Sequence, residues 1–162
     1  MRKVKEEKPF LTEKSKEIFP EVDFSDTFST TNNTNTIEEI ANLIFNYSPK
    51  WLRFLFEVRN KMVKVFGLKS TKPEDYNEDF KVGGYLQFFK IDYISDNEVI
   101  LGADDAHLNF RAIIYKTTAK TYNIKVTTLV KFNHSGGKIY MNIIKPFHRL
   151  VIIRMIKNAY AS

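Results

Sequence analysis

The chain has 162 residues, 43% hydrophobic and 27% charged, a balance suited to one globular domain with its own core. A domain of this size buries roughly two-thirds of the surface of its unfolded chain, so it needs no disulfide or metal staple. It has no cysteine, which excludes thiol catalysis, zinc–thiolate sites and disulfide frameworks. The net charge is +6 and the pI about 9.4.

That charge raises nucleic acid or an anionic membrane as partners. The Lys and Arg residues are scattered, however, and the strand aromatics are not interleaved with them, so nucleic acid is not expected. The most apolar stretch, LVIIRMI, is interrupted by Arg154, and no run of about 18 uncharged apolar residues exists, so no integral membrane segment is expected. The N-terminus is basic but lacks the apolar stretch of a signal peptide. A soluble cytoplasmic protein is the expectation.

Residues 1–18 alternate Lys and Glu with few apolar anchors and read as a mobile or loosely docked segment. Residues 19–162 read as a single domain. In EVDFSDTFSTT, Val22, Phe24 and Phe28 mark a first strand. After a Thr/Asn loop, Thr36 and Glu39 form a capping box for a short helix carrying Ile37, Ile40, Ala41 and Ile44. Ser48 and Pro49 open a second helix whose stripe is Trp51, Leu55, Val58, Met62 and Val65, ended by Gly67.

From Gly83-Gly84 the period changes to two. YLQFFKIDYI predicts a strand with Tyr85, Phe89, Ile91 and Tyr93 on one face. EVILGA, LNFRAIIYKT and TYNIKVTTLVKF predict three more, joined by short turns into an antiparallel meander. A long apolar helix then runs from about Lys138 to Ala159, with Pro146 expected to bend it near residues 142–146. The fold class is α+β: a helix-grip arrangement, with a curved antiparallel sheet wrapped around the C-terminal helix and two shorter helices after the first strand. A plain α+β sandwich with a filled core has the same order of elements.

WLRFLFEVRNKMVKVFGLK, LGADDAHLNFR and KPFHRLVI occur in this order and spacing. Together they resemble the bacterial family called domain of unknown function 2867, over roughly residues 20–160. The resemblance implies a fold of the START and pollen-allergen-like (SRPBCC) superfamily, whose members bind lipids, hormones and polyketides and include some cyclases and hydrolases. It carries over no activity. The family-like positions are Arg59, Gly102, Asp104, Asp105, His107, Arg111, Lys145, Pro146, Phe147, His148 and Arg149, with Asn109 standing where an aspartate is more usual. Some members look like partners of nucleotide-sugar-epimerase-like domains, but no GxGxxG is present here.

The polar constellations admit more than one reading. In GADDAH, Gly102, Asp104 and Asp105 are turn formers, and the hairpin reading is preferred to a catalytic one. His107, Asn109 and Arg111 share one face of their strand; the apolar alternation favours that face pointing outward, whereas a one-residue slip or a bulge would turn the set into the cavity. In KPFHRL, His148 or Arg149 either ties the last helix to Asp104 or Asp105, the preferred reading, or binds an anionic head group. Three histidines and no cysteine make a metal site unexpected, and no cofactor is expected.

The preferred function is binding of a small apolar or amphipathic molecule in a cavity lined by Tyr85, Phe89, Phe110, Ile124, Val126, Phe147 and Val151, with Arg149 beside them. The enzymatic alternative uses acid–base chemistry by His107, Arg111, His148 and Asp104 or Asp105, and requires those side chains to converge. A structural or interaction module, with a homodimer left open, is the third reading.

Overall fold

The computed structural model describes residues 1–46, 50, 57, 74–87, 89–104 and 108–161. The second helix read from Ser48 to Gly67 lies outside the described residues, as do Asp105 and His107. The described elements are β1 (Val4–Glu7), α1 (Glu13–Ile18), β2 (Phe24–Thr30), α2 (Ile37–Phe45), β3 (Tyr85–Leu86), β4 (Phe89–Ile94), β5 (Glu98–Asp104), β6 (Leu108–Lys116), β7 (Ile124–Phe132) and α3 (Ser135–Asn158). The strands form one antiparallel sheet in the order β1-β2-β7-β6-β5-β4-β3. The meander β4 to β7 is continued by β2, so the first long strand lies beside the last. This is the α+β fold of a sheet with a long C-terminal helix on one face.

Cross-strand pairing sets what that helix covers, because directly opposed residues project to the same face. One row runs Phe28, Val126, Ile114, Val99, Ile94 from β2 to β4. Four of these five are almost fully buried, under Ile40, Ile44, Ile152, Met155 and Ile156 from α2 and α3. The next row is Asp26, Thr128, Ala112, Leu101, Ile91. The third begins Phe24, Val130, Phe110, Ala103. The helix face is thus densely packed at one end, whereas Phe24, Leu108, Phe110, Phe132 and Phe89 at the other are only half-buried.

The helices follow local chemistry. The Thr36 hydroxyl accepts from Glu39 N and the Glu39 carboxylate accepts from Thr36 N, so the expected capping box is present. α3 starts where the His134 ring accepts from Gly136 N, three residues earlier than its apolar pattern indicated. Pro146 lies within α3 and has no N–H to give the Asn142 carbonyl. The C-terminal end is tied by asparagines: Asn32 Nδ2 donates to Ala159 O at 2.7 Å, and Asn123 holds Asn32 N and O.

The opposite face of the sheet is covered by the start of the chain. Phe19, Ile100, Ile113 and Leu129 form a second cluster, with Leu11, Ile18, Val22, Tyr93 and Tyr115 packed against it. Residues 1–18, read as a mobile or loosely docked segment, here supply edge strand β1 and helix α1. Besides the apolar contacts of Leu11 and Ile18, their fastenings are polar and long-range, which apolar counting passes over. Phe10 N donates to the Thr27 hydroxyl, the Thr127 hydroxyl donates to Phe10 O, and the Thr12 hydroxyl donates to buried Glu98. Burial raises the Glu7 carboxyl, but Lys125 at 2.6 Å and the Ser29 hydroxyl outweigh it and leave the group below its ordinary value.

One sequence expectation needs correction. YLQFFKIDYI is not one flat strand. The backbone turns at Gln87, with φ of 58°, so β3 and β4 form a hairpin in which Leu86 opposes Phe89 and Tyr85 opposes Lys90. A bulge follows, because Ile91 opposes Leu101 while Tyr93 opposes Ile100. Phe89 and Ile91 face the helices, whereas Tyr85 and Tyr93 lie on the opposite face.

Candidate functional site

Phe24, Asp26 and Phe28 alternate along β2 and share the face that packs under α3. Asp26 is therefore a carboxylate aimed into an apolar layer. Facing it among the described residues is His148 of α3, whose Nε2 lies 3.4 Å from Asp26 Oδ2. Asp26 Oδ1 and His148 Nε2 are both buried and have no hydrogen-bond partner among the described residues. Leaving a buried polar group unpaired costs on the order of 1–3 kcal/mol, so such a pair in a folded layer calls for a reason.

Around the pair the surface is aromatic. The His148 ring meets Phe24 edge to face at 6.4 Å, and Lys145 Nζ lies 5.1 Å above Phe24. Along the same cross-strand row, Val130 leads to Phe110, whose ring is 5.4 Å from Phe89, which in turn is 5.6 Å from Phe45 of α2. The arrangement is an underpaired acid and imidazole beside a half-buried aromatic floor. It can accept from, or donate to, one polar group of a molecule whose remainder is apolar.

The described charged residues of LGADDAHLNFR, Asp104 and Arg111, lie on the other face. Arg111 on β6 stands opposite Gly102 on β5, and a Cβ added at Gly102 would lie 2.7 Å from Arg111 Cδ and 2.0 Å from Phe110 O. The arginine therefore crosses β5 at the position with no side chain and reaches Asp92 on β4, with Nε to Oδ2 at 2.7 Å. Its Nη1 pairs with Asp104 at 2.7 Å, and its guanidinium lies 5.4 Å above Phe19. Burial works against the charge, but Asp104 and Asp92 outweigh it and hold the arginine above its ordinary value. The bulge at Ile91/Tyr93 is what lets Asp92 turn toward it. This cluster clamps the chain entering β2 to the sheet; its charges are matched, although Arg111 Nε, like Asp26 Oδ1 and His148 Nε2, is buried without a hydrogen bond among the described residues.

The sequence-derived site residues thus separate. Of the acid–base set, the described members separate: Arg111 and Asp104 lie on one face of the sheet and His148 on the other, while His107 and Asp105 lie outside the described residues. Among the described residues α3 is tied not to Asp104 but to the first two strands, His148 to Asp26 and Arg149 to Glu6 at 2.5 Å; Asp105 lies outside the described residues. Among the expected lining residues, Phe89 and Phe110 meet each other on the helix face, Phe110 two strands and Phe89 four strands from Asp26. Val151 packs half-buried against the core, whereas Ile124 and Val126 sit deep in the fully packed end. Tyr85 is on the far face, its hydroxyl donating to Asp75, and Phe147 is 57% exposed. Among the described residues no group of three or more His, Asp or Glu is placed to hold a metal.

Sequence reasoning passed over Asp26. The visible cue was phase: it occupies an inward position between two phenylalanines in a period-two strand.

A model of the family described as "Protein of unknown function (DUF2867)" matches residues 18–155, most of the chain. The chain belongs to this family. Comparison with curated proteins and with solved structures returns no match. The matched span includes Asp26, Gly102, Arg111 and His148, hence both the underpaired site and the charge clamp.

Proposed function

We propose that this member of the family is a helix-grip binding domain, of the START-like superfamily, that holds a small apolar or amphipathic molecule between the sheet and α3. The observation that carries the reading is the Asp26–His148 pair, two buried polar atoms without hydrogen-bond partners among the described residues, next to Phe24 on the sheet face that also carries half-buried Phe110 and Phe89. The aromatic rings supply apolar contact area, and the pair supplies the polar anchor that fixes orientation. A cysteine-free chain suits a cytoplasmic setting, and among the described residues no helix is long and apolar enough to cross a membrane.

The test is titration with a neutral fluorescent apolar probe such as 1-aminoanthracene. Saturable one-to-one binding is expected, weakened at least about tenfold by Phe110→Asp, because a charge would then face the apolar molecule. Phe147→Ser is expected to leave it unchanged. Absence of saturable binding, or binding sensitive to Phe147 and indifferent to Phe110, would show that the site lies elsewhere.

A further inference from the structure

Six large apolar side chains are prominently exposed among the described residues, and four of them, Ile139, Ile143, Phe147 and Leu150, belong to α3. Their spacing of four, four and three places them in one stripe. Met141, His148, Ile152 and Met155 form the opposite, inward side. The outer stripe is 50–61% exposed, along a helix that has no acidic residue. Five cations, Lys138, Lys145, Arg149, Arg154 and Lys157, are exposed on the same helix. Arg149 is paired with Glu6, while Lys138, Arg154 and Lys157 have no ion-pair partner among the described residues.

We infer that this face of α3 docks on an anionic lipid surface. An apolar stripe flanked by Lys and Arg matches the boundary between acyl chains and negative headgroups: the side chains enter the bilayer edge and the cations meet the lipid charge. Charge argues against the competing occupants. A second copy packed helix on helix would bring two acid-free, basic helices together. Residues 47–73 of the same chain carry seven Lys and Arg against one acid, Glu57, so they too are of like charge. A nucleic acid would satisfy the cations but leave four apolar side chains in water. The inference concerns the outward side of α3 and stands whether or not the inward pair binds a ligand.

Flotation of the full chain with lipid vesicles is the test. Vesicles of phosphatidylcholine with about a third phosphatidylglycerol are expected to bind at least about tenfold more protein than phosphatidylcholine alone, and high salt should release it. Lys138→Glu with Arg154→Glu should lower binding by roughly tenfold or more. Ile143→Ser with Phe147→Ser, which removes only exposed apolar surface, should also lower it.

Because the chain lacks cysteine, a Phe147→Cys variant takes a single environment-sensitive dye. Its emission should shift to the blue with anionic vesicles and not with neutral ones. No binding, equal binding to neutral vesicles, or a dye already blue-shifted in the free monomer would overturn the inference. A dimer in sedimentation that Phe147→Ser dissolves would overturn it in favour of a second copy.

Discussion

Gly102→Val is expected to destabilise the fold by about 3 kcal/mol, a fall of roughly 9 °C in Tm for a domain of this size. A first side-chain atom there would sit 2.0 Å from Phe110 O and 2.7 Å from Arg111 Cδ. The backbone oxygen belongs to the β5–β6 ladder and cannot step aside without breaking pairing on either side. Displacing Arg111 would also take its guanidinium from Asp92 and Asp104, leaving a half-buried cation and two carboxylates without their partners. Asp104→Ala, one end of the same clamp, should cost under about 1 kcal/mol, since Asp104 is largely exposed and Arg111 keeps Asp92. Urea unfolding of the two variants checks the contrast. A Gly102→Val protein within about 0.5 kcal/mol of the parent would mean that the arginine does not depend on that gap.

The Asp26–His148 pair should respond in the opposite sense. His148→Leu alone is expected to cost about 2 kcal/mol, because it strands a carboxylate in an apolar layer. Asp26→Val together with His148→Leu should recover that loss and exceed the parent by about 1 kcal/mol. Both polar groups are then replaced by side chains suited to their strand and helix positions. A double-mutant cycle in urea measures the coupling. Two losses that simply add would show that the two groups do not act as a pair. Recovery would show that the protein gives up stability to keep an acid and an imidazole under α3, as binding sites commonly do.

The meander and the last helix were legible because their information is local. Period-two alternation, Ser95-Asp96-Asn97 as a turn, and the Thr36/Glu39 box each constrain only neighbouring residues. The outward direction of Arg111 was legible for the same reason, through the phase of Leu108, Phe110 and Ala112. Other features depended on distant partners. The side of the sheet taken by Tyr85 and Tyr93 turned on a positive φ at Gln87 and on the bulge after Ile91, and neither leaves a composition signal.

The docking of the first residues rests on threonine hydroxyls and on Glu98, whose partners lie 17 to 117 positions away. The site was half legible for a like reason. KPFHRL was singled out correctly as chemistry-bearing, but its partner was sought in GADDAH. Asp26 lies more than a hundred residues upstream, in a strand read for its phenylalanines. In LGADDAHLNFR, the most catalytic-looking stretch of the sequence, Asp104 and Arg111 take part in a charge clamp, whereas the Asp26–His148 pair lies across the sheet.

Native mass spectrometry of the purified protein, before and after incubation with a total lipid extract, reads occupancy beneath α3. A one-to-one adduct of a small amphipathic molecule is expected on the parent protein. No adduct is expected on the Asp26→Val/His148→Leu variant, and an undiminished adduct on Phe147→Ser. A parent that stays bare in the extract, or an adduct that the double variant retains and Phe147→Ser loses, would contradict a binding site beneath α3.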